Sequence, residues 1–235
     1  MYTDLMNAPR TARQRARAEL TREILDAARR QLGEAGPSAL SLRAVARELG
    51  MASSAIYRYF KSRDELLTAL IIEGYDEIGD AAEAADDPAA EPNERWTAIW
   101  RGVREWALTN RHEFALLFGT PVPGYAAPPQ AAVAAGRMPL ALARVVADAK
   151  AAGVLAPPPA PTCDPALIDA GTAELLPGAG FDADETARVI LAWNRLVGIV
   201  SYELHGHLHR VTADDAGFFD YTARVSGAFA GLRFA

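Results

Sequence analysis

The segment from Ser41 to Lys61, with the sequence SLRAVARELGMASSAIYRYFK, constrains the fold of this chain more than any other. Four apolar side chains in its first half recur at i, i+3, i+4 and i+7, the spacing of one helix face: Leu42, Val45, Ala46 and Leu49. Ser41 precedes them as a capping hydroxyl, and Gly50 follows them with the freedom to adopt a positive φ. The spacing therefore predicts a short helix that begins after Ser41 and ends at Gly50.

A second short helix is predicted to follow the glycine turn. The side chains expected to point inward are apolar or aromatic: Ala52, Ala55, Ile56, Tyr59 and Phe60. Those left outward carry hydroxyls, an aromatic ring or positive charge: Ser53, Ser54, Tyr57, Arg58 and Lys61. Two short helices with such an outer face are typical of a helix-turn-helix unit that binds DNA. A buried helical hairpin is the alternative, but it would have no use for aromatic and basic side chains crowded beyond the turn.

Helical patterns flank this segment on both sides. Apolar residues at every fourth position predict a first helix over about 13–34, which completes a three-helix head: Leu20, Ile24, Ala28 and Leu32. The run from Ser62 to Glu65 has the spacing of a capping box and predicts a linking helix that ends near Ala85. Four arginines form a basic N-terminal arm, which either reaches into a minor groove or stays a solvated tail: Arg10, Arg13, Arg15 and Arg17.

The positive charge of the chain is concentrated near its N-terminus. The net charge is −6 over 235 residues, yet the stretch between Arg10 and Arg63 holds 12 Lys or Arg against 5 Asp or Glu. A basic block on an acidic body suits a DNA-binding head, because only the head has to neutralise phosphates. Alanine is abundant and clusters of β-branched residues are scarce, so the composition favours an all-α fold.

The rest of the chain is predicted to form a helical body interrupted by proline-rich loops. The predicted helices are a Trp-rich one after residue 93 and others over 113–118, 130–150, 166–176, 182–208 and 212–232. In the helix after Asp182, Ile190 and Val197 widen the apolar stripe beyond what one core contact needs. The last two helices are therefore predicted to pair with their copies in a second subunit, as a four-helix interface.

Other classes of protein find little support in the sequence. The single cysteine, Cys163, provides no disulfide framework and suits a reducing compartment. No signal peptide and no long apolar run occurs, so a cytoplasmic protein without a membrane partner is expected. Without GxSxG or a phosphate-binding glycine loop, no enzyme activity, catalytic residue or cofactor is expected. His205 and His209 share a face if the helix continues there, but only Glu203 lies near them, and no metal site is predicted.

The order of these features resembles a known family. The basic arm, the three-helix head with LRAVARELGMASSAIYRYFKSRDELL and the helical body together resemble the TetR family of bacterial transcriptional repressors. The resemblance extends from Leu20 to about Leu70 and is most specific in AIYRYFKSRDELL. The body is similar to the WHG-type C-terminal subclass through HEFALLFGTPVPGYAAPP and AWNRLVGIVSYELHGHL.

The resemblance implies a homodimer that binds a palindromic operator in double-stranded DNA and releases it when a small-molecule effector enters the body. The family's phosphate contacts fall on four residues of this chain: Ser41, Tyr57, Tyr59 and Lys61. Its base-reading positions fall on four others: Arg43, Ser53, Ser54 and Arg58. Tyr59 stands where many members have histidine, so it either packs or contacts phosphate through its hydroxyl.

These expectations divide the chain into a flexible basic arm (1–12), a helix-turn-helix DNA-binding domain (13–62) and a helical effector-binding and dimerisation domain (63–235). Six aromatic side chains are predicted to line the effector pocket, although aromatics at helical spacing are also typical of ordinary core: Trp96, Trp100, Phe114, Phe118, Trp193 and Tyr202. Two other functions remain open at this point. One is an architectural DNA-binding protein with little sequence preference, and the other is an α-helical enzyme that uses the aromatic pocket.

Overall fold

Every regular element in the described part of the chain is helical. The computed structural model describes residues 12–157, 162–169, 172 and 180–234. The helices are α1 (Ala12–Ala35), α2 (Leu42–Glu48), α3 (Ser53–Ile56), α4 (Arg63–Ala84), α5 (Pro92–Thr109), α6 (Arg111–Phe118), α7 (Gln130–Ala151), α8 (Ala183–Leu204) and α9 (Asp215–Phe229), with 3₁₀ turns at Pro37–Ala39 and Pro165–Leu167. The predicted all-α class is confirmed.

The chain folds into two compact units. The first, called the head, contains the described residues up to Ile71 together with Thr120–Ala127. The second, called the body, contains Ile72–Gly119 and the described residues from Pro128 onward. The head therefore includes the first turns of α4 as well as the segment predicted to bind DNA. It also includes most of the loop between α6 and α7, where the Tyr125 and Thr68 hydroxyls are hydrogen-bonded at 2.9 Å.

The core of the head forms from the apolar faces of its four helices. The fully or almost fully buried side chains include Ile24, Ala28, Leu32, Val45, Ala46, Ile56, Phe60, Leu66 and Leu67. Gly50 ends α2 as predicted, because its φ of 64° reverses the chain at little steric cost for glycine. Four side chains of the predicted inner face are less buried than expected: Ala52 is exposed at the N-cap of α3, and Leu49, Ala55 and Tyr59 are half-buried.

At the N-terminal part of the head, one prediction holds and another is wrong. Helix α1 spans Ala12–Ala35, close to the helix predicted over about 13–34, and it carries Arg13, Arg15 and Arg17. Arg10 lies outside the described residues. Ser41 occupies the N-cap of α2, but its hydroxyl makes no capping hydrogen bond. Its backbone N–H instead donates to Gln31 Oε1 at 3.3 Å, which fixes the start of α2 to α1.

Helix α5 lies at the centre of the body, where it contacts α6, α7, α8 and α9. The largest fully buried side chains around it are Trp96, Trp100, Phe114, Leu142, Leu196 and Phe219. These helices pack closely because α5 carries a continuous apolar face, with Trp96, Ile99, Trp100 and Val103 at helical spacing. The Trp-rich helix, the short helix after it and the helix over 130–150 are all present near their predicted bounds.

The C-terminal helices begin and end differently from the prediction. A reciprocal capping box between Asp182 and Glu185 starts α8, which ends at Leu204 because Gly206 follows in a left-handed conformation with φ 74°. Helix α9 spans Asp215–Phe229, a shorter range than the predicted 212–232. The short helix predicted over 166–176 is represented by the 3₁₀ turn Pro165–Leu167, and most of its later residues lie outside the described residues.

Two arginines of α5 form ion pairs that differ mainly in burial. Arg95 donates to both oxygens of Asp86 at 2.6 and 2.9 Å and to Asp148 at 2.8 Å, with the Arg95 and Asp86 side chains only 6% and 11% exposed. Arg101 donates to both oxygens of Asp220 at 2.9 and 2.6 Å, but its own side chain is 61% exposed. The hydrogen bond from Arg101 lowers the pKa of the Asp220 carboxyl.

Replacing Arg95 with methionine is expected to lower the free energy of unfolding by about 3–5 kcal/mol, because it leaves the buried Asp86 carboxylate without its partner. The matched change Arg101→Met should cost less than about 1 kcal/mol, since water screens an exposed pair. Urea denaturation followed by far-ultraviolet circular dichroism measures both values. Equal losses in the two variants would contradict this assignment.

Candidate nucleic-acid interface

Residues 53–60, called the recognition segment, form one helical turn followed by a tight bend. Helix α3 contains only Ser53–Ile56. Beyond it, the Arg58 N–H donates to the Ala55 carbonyl at 3.1 Å, and the Tyr59 and Phe60 N–H groups donate to the Ile56 carbonyl at 2.9 and 3.1 Å. These bonds continue the turn through Phe60, which is buried beside Ile56 in the head core. The two buried side chains fix the residues between them in one orientation.

The residues predicted to contact DNA differ in exposure. Six are exposed, on α3, on the bend after it or on α2: Ser53, Ser54, Tyr57, Arg58, Lys61 and Arg43. Ser41 and Tyr59 are half-buried. The recognition segment therefore carries five of the predicted residues: Ser53, Ser54, Tyr57, Arg58 and Tyr59. Lys61 follows it directly, and Arg43 lies on α2. Hydroxyl, phenol and cationic groups in this arrangement suit contacts to both phosphates and base edges.

The start of α4 places Lys61 next to the recognition segment. Ser62 Oγ accepts a hydrogen bond from the Glu65 N–H at 3.1 Å, which is the first half of the predicted capping box. The second half differs, because Glu65 Oε2 accepts from the Lys61 N–H at 2.6 Å rather than from Ser62. This bond fixes the Lys61 backbone and leaves its side chain exposed.

Three arginines brace the head through contacts that the sequence analysis missed. Arg17 Nη2 donates to the Arg58 carbonyl at 3.2 Å, and its guanidinium lies 5.2 Å from the centre of the Tyr59 ring. Arg63 Nη2 donates to the Pro37 carbonyl at 2.8 Å, and Arg30 Nε donates to Glu48 Oε1 at 2.7 Å. The partners are too far apart in sequence for helical spacing to reveal them.

The aromatic residues predicted to line an effector pocket lie in the body, and most of them meet. Trp96 and Trp100 have ring centres 6.1 Å apart, and those of Phe114 and Phe118 are 4.9 Å apart. Trp193 is half-buried against the same core. Tyr202 is 57% exposed and has its ring 5.3 Å from that of His207, so its prediction as a pocket residue finds no support in its position.

Two further aromatic residues that the sequence analysis missed belong to this cluster. The Phe219 ring centre is 5.7 Å from that of Trp100, and the Tyr75 ring is 5.9 Å from that of Phe118. Burial raises the pKa of the Tyr75 hydroxyl. Trp96 Nε1 donates to the Ala223 carbonyl at 2.9 Å, whereas the buried Nε1 groups of Trp100 and Trp193 find no acceptor in the part of the chain that the structure describes. We call these seven body residues the aromatic cluster: Tyr75, Trp96, Trp100, Phe114, Phe118, Trp193 and Phe219.

The histidines after α8 do not share a helix face. Because α8 ends at Leu204, His205 forms its C-cap and His209 lies in a turn, which overturns the i, i+4 relationship assumed for them. The His205 and His207 rings stack with centres 6.2 Å apart. Among the described residues, no group of three or more His, Cys, Asp or Glu side chains is placed to hold a metal ion. None of the helices in the same residues is long and apolar enough to cross a membrane.

Comparison with protein families gives two matches that together cover most of the described chain. Residues 24–70 match the family described as bacterial regulatory proteins, tetR family. Residues 96–225 match the family described as tetracyclin repressor-like, C-terminal domain. The first match contains the recognition segment and the second contains most of the aromatic cluster.

Individual proteins are similar over almost the whole chain. The HTH-type transcriptional regulator Rv1816 of Mycobacterium tuberculosis is 39% identical over 223 residues, which cover 91% of this chain and 93% of the relative. The HTH-type transcriptional regulator BetI of Rhizobium meliloti is 36% identical over 78 residues, or 33% of this chain and 38% of the relative. The solved structure of SCO4313 is 34% identical with a TM-score of 0.71, covering 92% of this chain and 98% of that one.

Proposed function

The chain belongs to the TetR family of DNA-binding transcriptional regulators, and from this premise we propose that it is a repressor released from its operator by a small molecule. Its relatives are regulators rather than enzymes, so the enzyme alternative is set aside. The observation that carries the proposal is the exposed row of hydroxyl, phenol and cationic groups on the recognition segment. The operator, the dimer and the effector are each supported by a separate feature.

The contacts to DNA are proposed to divide into two groups. Phosphates are assigned to Ser41, Tyr57, Tyr59 and Lys61, the positions that the family resemblance implies, and the hydroxyl and ammonium groups of these residues can bind phosphate oxygens. Base edges are assigned to Arg43, Ser53, Ser54 and Arg58, the polar side chains of α2 and of the recognition segment. The small exposed side chain of Ala52 leaves room for a thymine methyl group.

A homodimer is supported by an exposed apolar surface on the last two helices. Leu191 and Tyr202 of α8 and Phe218, Tyr221 and Val225 of α9 are all at least 40% exposed. The opposite face of α9, with Phe219 and Ala223, is buried in the body core. Because several exposed large apolar side chains on neighbouring helices often mark an interface, we assign these five residues, named the α8–α9 face, to contact with a second copy of the chain. Two heads about 34 Å apart would then read the half-sites of a palindromic operator.

The effector is proposed to bind at the aromatic cluster of the body. The buried arginines of the body are already compensated: Arg95 by Asp86 and Asp148, and Arg188 by Asp184. A charged effector would therefore find no unpaired partner among them. The Nε1 groups of Trp100 and Trp193 are buried donors with no acceptor among the described residues, and a ligand that supplied an acceptor would be stabilised by the hydrogen bond. These features favour a neutral, largely apolar molecule that carries a hydrogen-bond acceptor.

The assignment of DNA contacts is tested with a duplex selected from random sequence and with the DNA upstream of the gene. Both should bind at least about a thousandfold more tightly than random duplex at physiological salt. Lys61→Gln is expected to weaken binding to all duplexes and to reduce the salt slope by about one, whereas Arg43→Ala should relax preference at particular base pairs. An architectural protein without an operator would show little preference in the wild type, which would contradict the repressor proposal.

The dimer is tested by placing a charge on the α8–α9 face. Tyr221→Glu is expected to shift the sedimenting species from dimer to monomer at micromolar concentration and to weaken operator binding, because a buried carboxylate opposes association. Val133→Glu is the control, since Val133 is exposed on α7, away from α8 and α9 in sequence. A wild-type monomer, or equal effects of the two variants, would show that the interface lies elsewhere.

The effector chemistry is tested by screening neutral and charged compounds for release of a fluorescent operator. Compounds that release DNA are expected to be neutral and to carry an acceptor. Trp100→Phe and Trp193→Phe keep a ring but remove the donor, and one of them should raise the concentration needed for release by about tenfold. Trp106→Phe, on the edge of the same core, should leave that concentration unchanged. Release mainly by charged compounds, or no change in either variant, would contradict the proposed chemistry.

A further inference from the structure

The N-terminal half of α1 reaches the end of the recognition segment through one side chain. Arg17 Nη2 donates to the Arg58 carbonyl at 3.2 Å, and the guanidinium carbon lies 5.2 Å from the centre of the Tyr59 ring. Arg17 is separated from Arg58 by 41 positions, so the contact forms only when the head is folded. It fixes the two residues that follow Tyr57 on the bend.

The Arg58 carbonyl at the end of this bend accepts its hydrogen bond from a side chain outside the recognition segment. A short helix leaves its last carbonyl groups without intrahelical donors, and α3 contains only four residues. The backbone N–H groups of the bend donate hydrogen bonds to the Ala55 and Ile56 carbonyls, one turn earlier. The Arg58 carbonyl is met instead by the Arg17 side chain, which acts as a C-terminal cap supplied from another helix.

The Tyr59 ring provides the second anchor. A planar guanidinium is attracted to an aromatic face by the ring quadrupole, whose face is negative, and its edge remains free to donate hydrogen bonds. Arg17 does both at once, because the carbonyl that accepts its hydrogen bond belongs to Arg58 and the ring that it contacts belongs to the next residue, Tyr59. Tyr59 is half-buried in this position, while the Arg58 side chain remains exposed.

We propose that Arg17 is a positioning residue of the DNA interface, which holds the recognition segment in its binding orientation through the Arg58 carbonyl and the Tyr59 ring. The inference rests on the proposed assignment of DNA contacts to that segment. Arg17 itself need not touch a phosphate, because its guanidinium is already engaged within the head. Loss of the Arg17 side chain should therefore reduce the preference for particular base pairs more than the overall affinity for duplex DNA.

The same helix offers a charge-matched control. Arg15 is exposed on α1, two residues before Arg17, and makes no hydrogen bond or ion pair with the described residues. Arg15→Gln and Arg17→Gln remove the same charge from the same turn of α1, although the two side chains point to different sides of the helix. A role through charge alone predicts an equal loss of affinity for every duplex, whereas a positioning role predicts a loss of preference between duplexes for Arg17→Gln only.

The experiment measures the affinity of both variants for the selected duplex and for one with substituted base pairs, over a series of salt concentrations. Arg17→Gln is expected to weaken binding to the selected duplex about tenfold and to reduce its preference over the substituted duplex, with the same salt slope as Arg15→Gln. Arg15→Gln should weaken binding to both duplexes by the same small factor. Thermal denaturation checks that both variants remain folded.

Variants at Tyr59 test whether Arg17 acts through the ring. In the Tyr59→Phe background, which keeps the aromatic face, Arg17→Gln should reduce the preference as before. In the Tyr59→Leu background, which lacks it, the further loss from Arg17→Gln should be smaller. Equal losses of affinity and of preference in the Arg15 and Arg17 variants would overturn the proposal. So would a salt slope reduced by about one for Arg17→Gln with sequence preference intact, because that result would mark Arg17 as a direct phosphate contact. A wild type without sequence preference would instead refute the repressor function before the variants are compared.

Discussion

A helix of four residues is not stable by itself, and the proposed function of this protein depends on one. Helix α3 exists because Ile56 and Phe60 are buried in the head, on either side in sequence of Tyr57, Arg58 and Tyr59, three of the residues proposed to contact DNA. The positive φ of Gly50 sets the entry to α3, and the bond from Lys61 to Glu65 sets the exit. The exposed side chains between these points are held by their neighbours and not by the helix itself.

This dependence explains why so many contacts in the head come from other helices. The three bracing arginines bind backbone carbonyls, an aromatic ring or a carboxylate in segments distant in sequence. Each bond is modest, because most of these groups remain partly exposed to water. Together they restrict a short segment whose own hydrogen bonds are few.

Helix α4 contributes to both compact units. Its first turns bury Leu66, Leu67 and Leu70 in the head. Its later turns are fixed in the body, where Arg137 of α7 donates to Asp76 at 3.1 Å, to Glu83 at 2.7 Å and to Asp80. The hydrogen bond from Arg137 lowers the pKa of the Glu83 carboxyl.

The sequence by itself determined the all-α class, the order of the main helices and the helix-turn-helix segment, because these follow from apolar spacing and glycine positions that are local in the chain. It also predicted eight residues that contact DNA, and six of these side chains are exposed in the structure. The contacts between residues distant in sequence were decided by tertiary structure, because local spacing carries no information about them. Tertiary structure placed Arg17 against Tyr59, left Tyr202 outside the aromatic cluster, ended α8 before the histidines and brought Phe219 to Trp100. In each case the deciding contact joins residues far apart in sequence or depends on a backbone reversal, so it exists only once the helices have packed.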